Sequence, residues 1–323
     1  MCCISVIIPA YNVEKYIVRT VNSLKNQSFS SWEALIIDDG STDKTFDILI
    51  EITSNDNRFK VFHTENGGVS SARNLGITEA KGKYVYFLDS DDVIMEKALE
   101  LLYSSAEVNA AEIVICGFEE VSDDGKVQDI WLPVWKDSIS SLYEDLIKRY
   151  GINTLCNKLF LRDKIIMFDI YHSMGEDLKF CCDYLVNINR YSLVTESLYQ
   201  YYIDNPGSLT KHVDLKMDAI MYDTNNLLKL VKELNIAEGI VMDRLYSTIS
   251  GNLLRAKNEF DFFYIYNNMM KNELKNIVLF YSPFKFNYKI IRYLILRNYR
   301  NTLFFIFKIK RYLQNINASI LNP

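Results

Sequence analysis

The sequence predicts an α/β fold, with a mostly parallel central sheet and flanking helices, followed by an α-helical C-terminal region. Three observations carry this reading. Strand and helix signals alternate through the first hundred residues, as in a chain of right-handed βαβ units. Polar clusters stand at the carboxyl ends of those strands, where open α/β sheets bind their ligands. From Asp214 to about Lys275 the periodicity is helical, with apolar residues at 217, 220, 221, 227, 228, 231 and 234 in its first part.

The elements follow in order. Residues 4–12 (ISVIIPAYN) form a strand that ends at Pro9, and residues 13–27 a helix with Ile17, Val21 and Leu24 at helical spacing. Residues 32–43 (WEALIIDDGSTD) are a second strand running into acids and a turn. A helix at 44–55, a strand at 59–64 and a helix at 70–82 closed by Gly82 come next. The strand YVYFL then runs into Asp89, Asp91 and Asp92. A helix follows at 96–110. Two apolar runs flank Asp124–Gly125, a short hairpin signal. Residues 138–151 read as a helix ending at Gly151. The expected division is a sheet-bearing region over 1–213, with a first half at 1–100 and a second at 101–213, and a helical region over 214–323.

At 323 residues, 49% apolar and 24% charged, the chain has a globular rather than a disordered composition. A leader is not expected where Met1–Cys2–Cys3 runs straight into the first strand, nor a spanning helix where no apolar run approaches roughly 18–20 residues. The six cysteines lack metal-ligand spacing, so reduced thiols are expected. Charge is uneven. Residues 274–323 hold nine Lys/Arg and no acid; since the whole chain carries −5, residues 1–273 carry −14.

The acids at strand ends pose the chemical question, because neighbouring carboxylates repel and a buried one without a partner is costly. For Asp89, Asp91 and Asp92, a hard cation such as Mn²⁺ or Mg²⁺ held on oxygen ligands is one answer, and a solvated helix cap is the other. The strand-end position beside other acids favours the metal. Asp39 is an acceptor for a base or ribose group, in a turn where Ser41 and Thr42 also cap the next helix. Gly67 and Gly68 before a helix leave backbone N–H groups for an anion, and Arg73 adds a phosphate contact. Glu176 and Asp177 at a helix start either compensate its dipole or supply a general base. His63 reads as structural, while His212 is a candidate neighbour for phosphate or metal.

Taken together, SVIIPAYN, ALIIDDGSTD, ENGGVSSARNLGI, GKYVYFLDSDD, CNKLF and GEDLKF resemble, in this order, the family-two inverting glycosyltransferases of GT-A fold. The resemblance spans about residues 4–210. It implies that residues 1–100 form the nucleotide-sugar half and 101–213 the acceptor half. Pro9, Tyr11 and Asp39 hold the nucleobase, usually uracil, and Arg73 the phosphates; Ala10, Gly68 and Ser90 join this nucleotide-sugar set. Asp89 and Asp91 match the DxD motif, Asp91 as direct ligand of Mn²⁺ or Mg²⁺ and Asp89 toward the ribose or sugar as well as the metal. Asp177 is the expected catalytic base, with Glu176 second. Asn157 and Lys158 are placed near the acceptor. Where relatives often carry Arg, this chain has Ile203–Asp204, so Ser208, Lys211 and His212 become candidates for the departing diphosphate.

The implied activity is metal-dependent transfer of a sugar from a UDP-sugar to a hydroxyl of a lipid-linked glycan acceptor in surface polysaccharide or capsule synthesis. Two rival readings compete with it. FLDSDDV also fits the nucleophile motif of haloacid-dehalogenase-like phosphatases, with Asp89 attacking phosphate; three βα units precede it here, against that family's N-terminal motif. A non-catalytic sugar-nucleotide-binding protein would not need both the metal cluster and the Glu176–Asp177 pair. Residues 288–313 mix Lys and Arg with Ile, Leu, Phe and Tyr, a basic amphipathic pattern that reads as membrane-surface binding. Packing on the catalytic domain is the structural alternative, nucleic acid is not expected, and a homo-oligomer is left open. The expected location is cytoplasmic, peripheral on the inner face of the cell membrane.

Overall fold

The computed structural model describes residues 2–172, 175–205, 217–256, 258–269 and 273–321. They divide into two compact units, residues 1–145 with 150–213, and residues 146–149 with 214–323.

The first unit is built on one nine-stranded sheet. Strands β1 (Ile4–Ala10), β2 (Trp32–Asp38), β3 (Phe59–His63) and β4 (Tyr84–Phe87) alternate with helices α1 (Ile17–Lys25), α2 (Thr45–Thr53) and α3 (Val69–Glu79). These strands pair in parallel in the order β3-β2-β1-β4. Every residue of β1, β2 and β4 is buried, because helices cover both faces, and that is why these segments read as unbroken apolar runs. Alternation sorts the side chains. Ile4, Val6 and Ile8 join Ile17, Val21, Leu24, Leu49, Leu99 and Leu102 in one core. Ile7 and Ile37 face α3, whose Gly76 lies so close that an added Cβ would stand 2.5 Å from a methyl of Ile7.

Beyond β4 the sheet becomes mixed. The short β5 (Val93–Ile94), α4 (Ala98–Val108) and the hairpin β6 (Ile113–Val121)–β7 (Val127–Trp131) come first, then α5 (Ile139–Lys148). Next are β8 (Lys158–Leu161), α6 (Glu176–Leu185) and β9 (Tyr191–Tyr202). β8 lies antiparallel between β4 and β6, and β9 pairs in parallel with β6 and antiparallel with β5. The sequence pattern left β5, β8 and β9 unassigned. β8 is four residues long, and β9 slips register opposite Cys116–Phe118, so neither shows sustained alternation.

The second unit holds α7 (Met217–Glu233), α8 (Gly239–Arg255), α9 (Glu259–Met269), α10 (Glu273–Phe280), α11 (Phe286–Leu296) and α12 (Arg300–Leu321). Its core gathers Met242, Leu245, Tyr246, Ile249, Leu253, Phe262, Val278, Leu294, Leu303 and Phe307. Arg292 of α11 donates from Nε to the carbonyls of Val278 and Tyr281, at 2.8 and 3.1 Å, satisfying the end of α10. The basic stretch 288–313 is thus divided between two helices, with Asn298 in left-handed conformation at the break (φ 55°). No described helix is long and apolar enough to cross a membrane.

Candidate active site

The polar clusters lie at the carboxyl ends of β1, β2 and β4 and at the start of α3, as parallel βα units require. At the first two ends the loops brace each other. The Asp39 N–H donates to the Ala10 carbonyl (2.8 Å), the Asn12 N–H to Ser41 Oγ (2.9 Å) and the Thr42 N–H to Asn12 Oδ1 (2.8 Å). Pro9 and Ala10 are buried, while Tyr11 presents its ring at the surface. Asp38 is buried and meets Nδ1 of His63 at 2.5 Å, so His63 is held by the protein. A recess of about 470 Å³ opens beside this point, lined by Gly40, Ser41, His63, Thr64, Glu65 and Asn66.

Asp39 corrects one expectation. Its two carboxylate oxygens accept from the N–H groups of Gly67 and Gly68, each at 2.8 Å. The amides ahead of α3 are therefore not free for an external anion; the anion at this helix start is a side chain of the protein. Gly68, at φ 87°, supplies the left-handed backbone that turns its N–H inward.

Arg73 corrects another. It is only 4% exposed and lies among acids: Asp177 Oδ1 at 2.7 Å, Asp89 Oδ1 at 3.3 Å and Glu176 Oε1 at 3.6 Å. Its guanidinium also sits 5.4 Å from the centre of the Phe168 ring. Burial works against its charge, yet Asp177, Asp89 and Glu176 raise its pKa. Rather than standing open to a phosphate, Arg73 joins the two acidic motifs that sequence separates by about ninety residues.

One cation facing three carboxylates leaves negative charge in excess, and the protein answers it acid by acid. Asp177 is 29% exposed through its side chain; burial, Glu176 and Asp89 outweigh Arg73 and push its carboxyl up to about 7. Asp91 accepts from the Asn205 amide at 2.6 Å, and burial with the Asp89 charge raises its pKa. Asp92 is fully buried. It accepts from the Tyr199 hydroxyl at 2.5 Å and the Tyr202 N–H at 2.8 Å, and burial together with Asp91 and Asp89 raises its pKa well above the usual carboxylate range. Asp92 is a structural member of the turn, hidden from any ligand.

Residues that the sequence did not single out hold this turn. The Thr20 hydroxyl reaches the carbonyls of Ser90 (2.9 Å) and Asp92 (2.8 Å), and Arg19 donates to the Asp91 carbonyl from Nε at 3.0 Å. Thr20 did carry a signal, since it is the polar member of the buried stripe 17, 20, 21, 24 on α1. Tyr199, Tyr202 and Asn205 carried none, lying more than a hundred residues from the acids they serve.

Asn157 and Lys158, expected near the acceptor, are both fully buried, so they can act there only through the loop they hold. Lys158 Nζ donates to the carbonyls of Gly151 (2.8 Å) and Thr154 and to Asn157 Oδ1 (2.8 Å), and Asn157 Nδ2 to the Cys116 carbonyl (2.9 Å). They fix the 151–157 loop from beneath. Ser208, Lys211 and His212 lie outside the described residues.

Comparison with known proteins matches this site to a family. The family described as glycosyl transferase family 2 matches residues 5–167, half of the chain. The chain is 31% identical to the uncharacterized glycosyltransferase EpsJ of Bacillus subtilis, over 64% of this chain and 63% of EpsJ. It is also 31% identical to the putative glycosyltransferase EpsH of the same organism, over 69% of this chain and 67% of EpsH. Among solved structures it resembles residues 1–349 of Staphylococcus aureus TarS in complex with UDP, with a TM-score of 0.67 at 22% identity, covering 92% of this chain and 89% of that one. The same protein in complex with UDP-GlcNAc gives 0.64 at 23%, covering 83% and 80%. These structural likenesses establish the GT-A fold.

Proposed function

This chain belongs to glycosyl transferase family 2, and from that premise we propose that it transfers a sugar from a UDP-sugar to an acceptor hydroxyl with inversion at the anomeric carbon. The observation that carries the reading is the Arg73 cluster. It sets a carboxyl, Asp177, titrating at about 7 and partly open to solvent, beside the acids of the DSDD turn. A general base works best when its pKa lies near the working pH and a neighbouring group fixes its orientation. Arg73 supplies that orientation at 2.7 Å.

In this mechanism Asp177 accepts the proton of the acceptor hydroxyl as its oxygen attacks the anomeric carbon. The bond to the UDP oxygen breaks on the opposite face, and one displacement inverts the configuration. Tyr11 and the Asp39 region bound the nucleotide end, and the UDP and UDP-GlcNAc complexes of the related TarS support a uridine donor. Asp89 and Asp91 are the residues that would hold Mn²⁺ or Mg²⁺. The donor set fits such an ion: both are hard oxygen ligands, and burial together with the Asp89 charge disfavours an ionised Asp91 unless a cation stands beside it. The described residues hold no cluster of three or more His, Cys, Asp or Glu side chains placed to hold a metal, so such an ion would need its remaining ligands from phosphate and water. When bound, the ion would offset charge growing on the departing diphosphate. A polymer hydroxyl as acceptor is supported by the relatives TarS and TarP, named poly(ribitol-phosphate) β-N-acetylglucosaminyltransferases; a lipid-linked glycan in surface polysaccharide synthesis is the acceptor we propose for this chain.

The test is release of UDP from a panel of UDP-sugars, with Mn²⁺ or Mg²⁺ and with chelator, followed by acceptor extension with the best donor. Donor-specific release that chelator abolishes supports the proposal. Release of phosphate from p-nitrophenyl phosphate with no UDP-sugar turnover overturns it.

A further inference from the structure

The second unit keeps an apolar surface that its own core does not use. On α12 the core side is Leu303 and Phe307. Phe305 and Ile309, two residues further along the helix, project to the opposite side and are 62% and 49% exposed. Ile306 extends that exposed arc, and Lys308 and Lys310, both exposed, stand on its two flanks. α11 repeats the pattern. Leu294 and Ile295 are buried, whereas Phe286, Ile290 and Tyr293 form an exposed stripe at spacings of four and three residues, with Lys289 and Arg297 among them. Phe286 is 77% exposed. Arg292, by contrast, faces inward to cap α10, so the outward basic residues are the ones that alternate with exposed rings.

We infer that the outward faces of α11 and α12 dock on an anionic lipid bilayer. Water solvates these aromatic and aliphatic groups poorly, and the headgroup boundary accommodates them while flanking lysines reach lipid phosphates. Charge names the partner. Residues 274–323 carry nine basic groups and no acid, whereas residues 1–273 carry −14, so an anionic surface attracts this segment and repels the rest. A neutral protein groove would call for the apolar groups but not for this one-sided charge. The helices are too short or too polar to span, so the association is peripheral. The inference does not depend on the transferase reading, because the assay contains no donor sugar.

The experiment is co-sedimentation of the full chain with vesicles of phosphatidylcholine alone and of phosphatidylcholine with phosphatidylglycerol. The chain pellets with the anionic vesicles, is released by salt, and stays in solution with the neutral ones. The double substitution Lys308→Glu with Lys310→Glu lowers partitioning by roughly thirty-fold or more, at about 1 kcal/mol per basic residue near the surface. Phe305→Ser with Ile309→Ser also lowers it. Lys126→Glu, on the exposed hairpin of the first unit, leaves it unchanged. Phe305→Trp provides a second readout, with emission shifting to shorter wavelength when anionic vesicles are added. Equal binding to both vesicle types, or binding untouched by both double substitutions, overturns the inference. So does a dimer, or retention on a DNA oligonucleotide, that the same substitutions dissolve in a chain that ignores vesicles.

Discussion

In the first unit the Arg73 guanidinium is buried among Asp89, Glu176 and Asp177; in α11 and α12 of the second unit, basic side chains stand exposed in a segment that contains no acid. Buried charge is expensive unless met at close range, so each partner in the first network is fixed by the others. That rigidity is what a proton-transfer site needs. Exposed charge on a helix costs little and holds nothing inside the fold in place. Such charge is available to a partner. Substitutions should therefore act on catalysis and stability in the first unit, and on association in the second.

The sharpest break is expected at Asp177, the proposed base. Asp177→Asn keeps the shape and removes the proton acceptor, so transfer falls by about a hundred- to ten-thousand-fold while UDP binding, followed by calorimetry, persists. Full turnover would remove Asp177 from the role. In the unsubstituted chain kcat/KM rises with pH through about 7 as this carboxyl ionises, and Asp177→Asn loses that limb. Stability runs the other way. A carboxyl raised on folding contributes stability that is present in acid and lost as pH rises through about 7. The urea midpoint should accordingly fall less between pH 5 and 8 in Asp177→Asn than in the unsubstituted protein.

Arg73→Met comes next. It strands three carboxylates and costs about 3–5 kcal/mol in urea unfolding, and it moves the ascending pH limb upward. An unchanged limb would mean that Arg73 does not face Asp177 in solution. Tyr199→Phe, which takes the hydroxyl donor from buried Asp92, costs about 1–3 kcal/mol. Lys289→Glu on α11 is the smallest, within about 0.5 kcal/mol of the unsubstituted stability. A large loss there would show that the exposed charges hold the second unit together, and would erase the contrast.

The fold of the first hundred residues was legible because three of its four parallel strands are buried throughout and α1 shows a clear stripe. The carboxyl-end rule then put Asp39, Gly68 and Asp89 at the ends of parallel strands or the start of the helix that follows, since it depends only on connectivity; Asp177 follows the antiparallel β8 and lies outside that rule. What the sequence could not show was the partner of each charged group. Arg73 is as reasonable a phosphate ligand as a carboxylate ligand until α6 is seen beside it. The amides of Gly67 and Gly68 are an anion site whose anion is Asp39. Asn157 and Lys158 read as polar groups for an acceptor because sequence gives no measure of burial, and both are enclosed. β9 escaped for a different reason: its register slips opposite Cys116–Phe118 and breaks the alternation that would have marked it.

That late strand also bears on how the protein matures. The DSDD turn is translated early, yet Asp92 waits for Tyr199 and Tyr202, and Asp91 for Asn205. A nascent polypeptide that has emerged only to residue 190 already carries the nucleotide-end motifs and still lacks the groups that seat these acids. During synthesis the DSDD turn therefore stays without these partners until β9 pairs with β5 and β6, which makes that strand the latch of the proposed site.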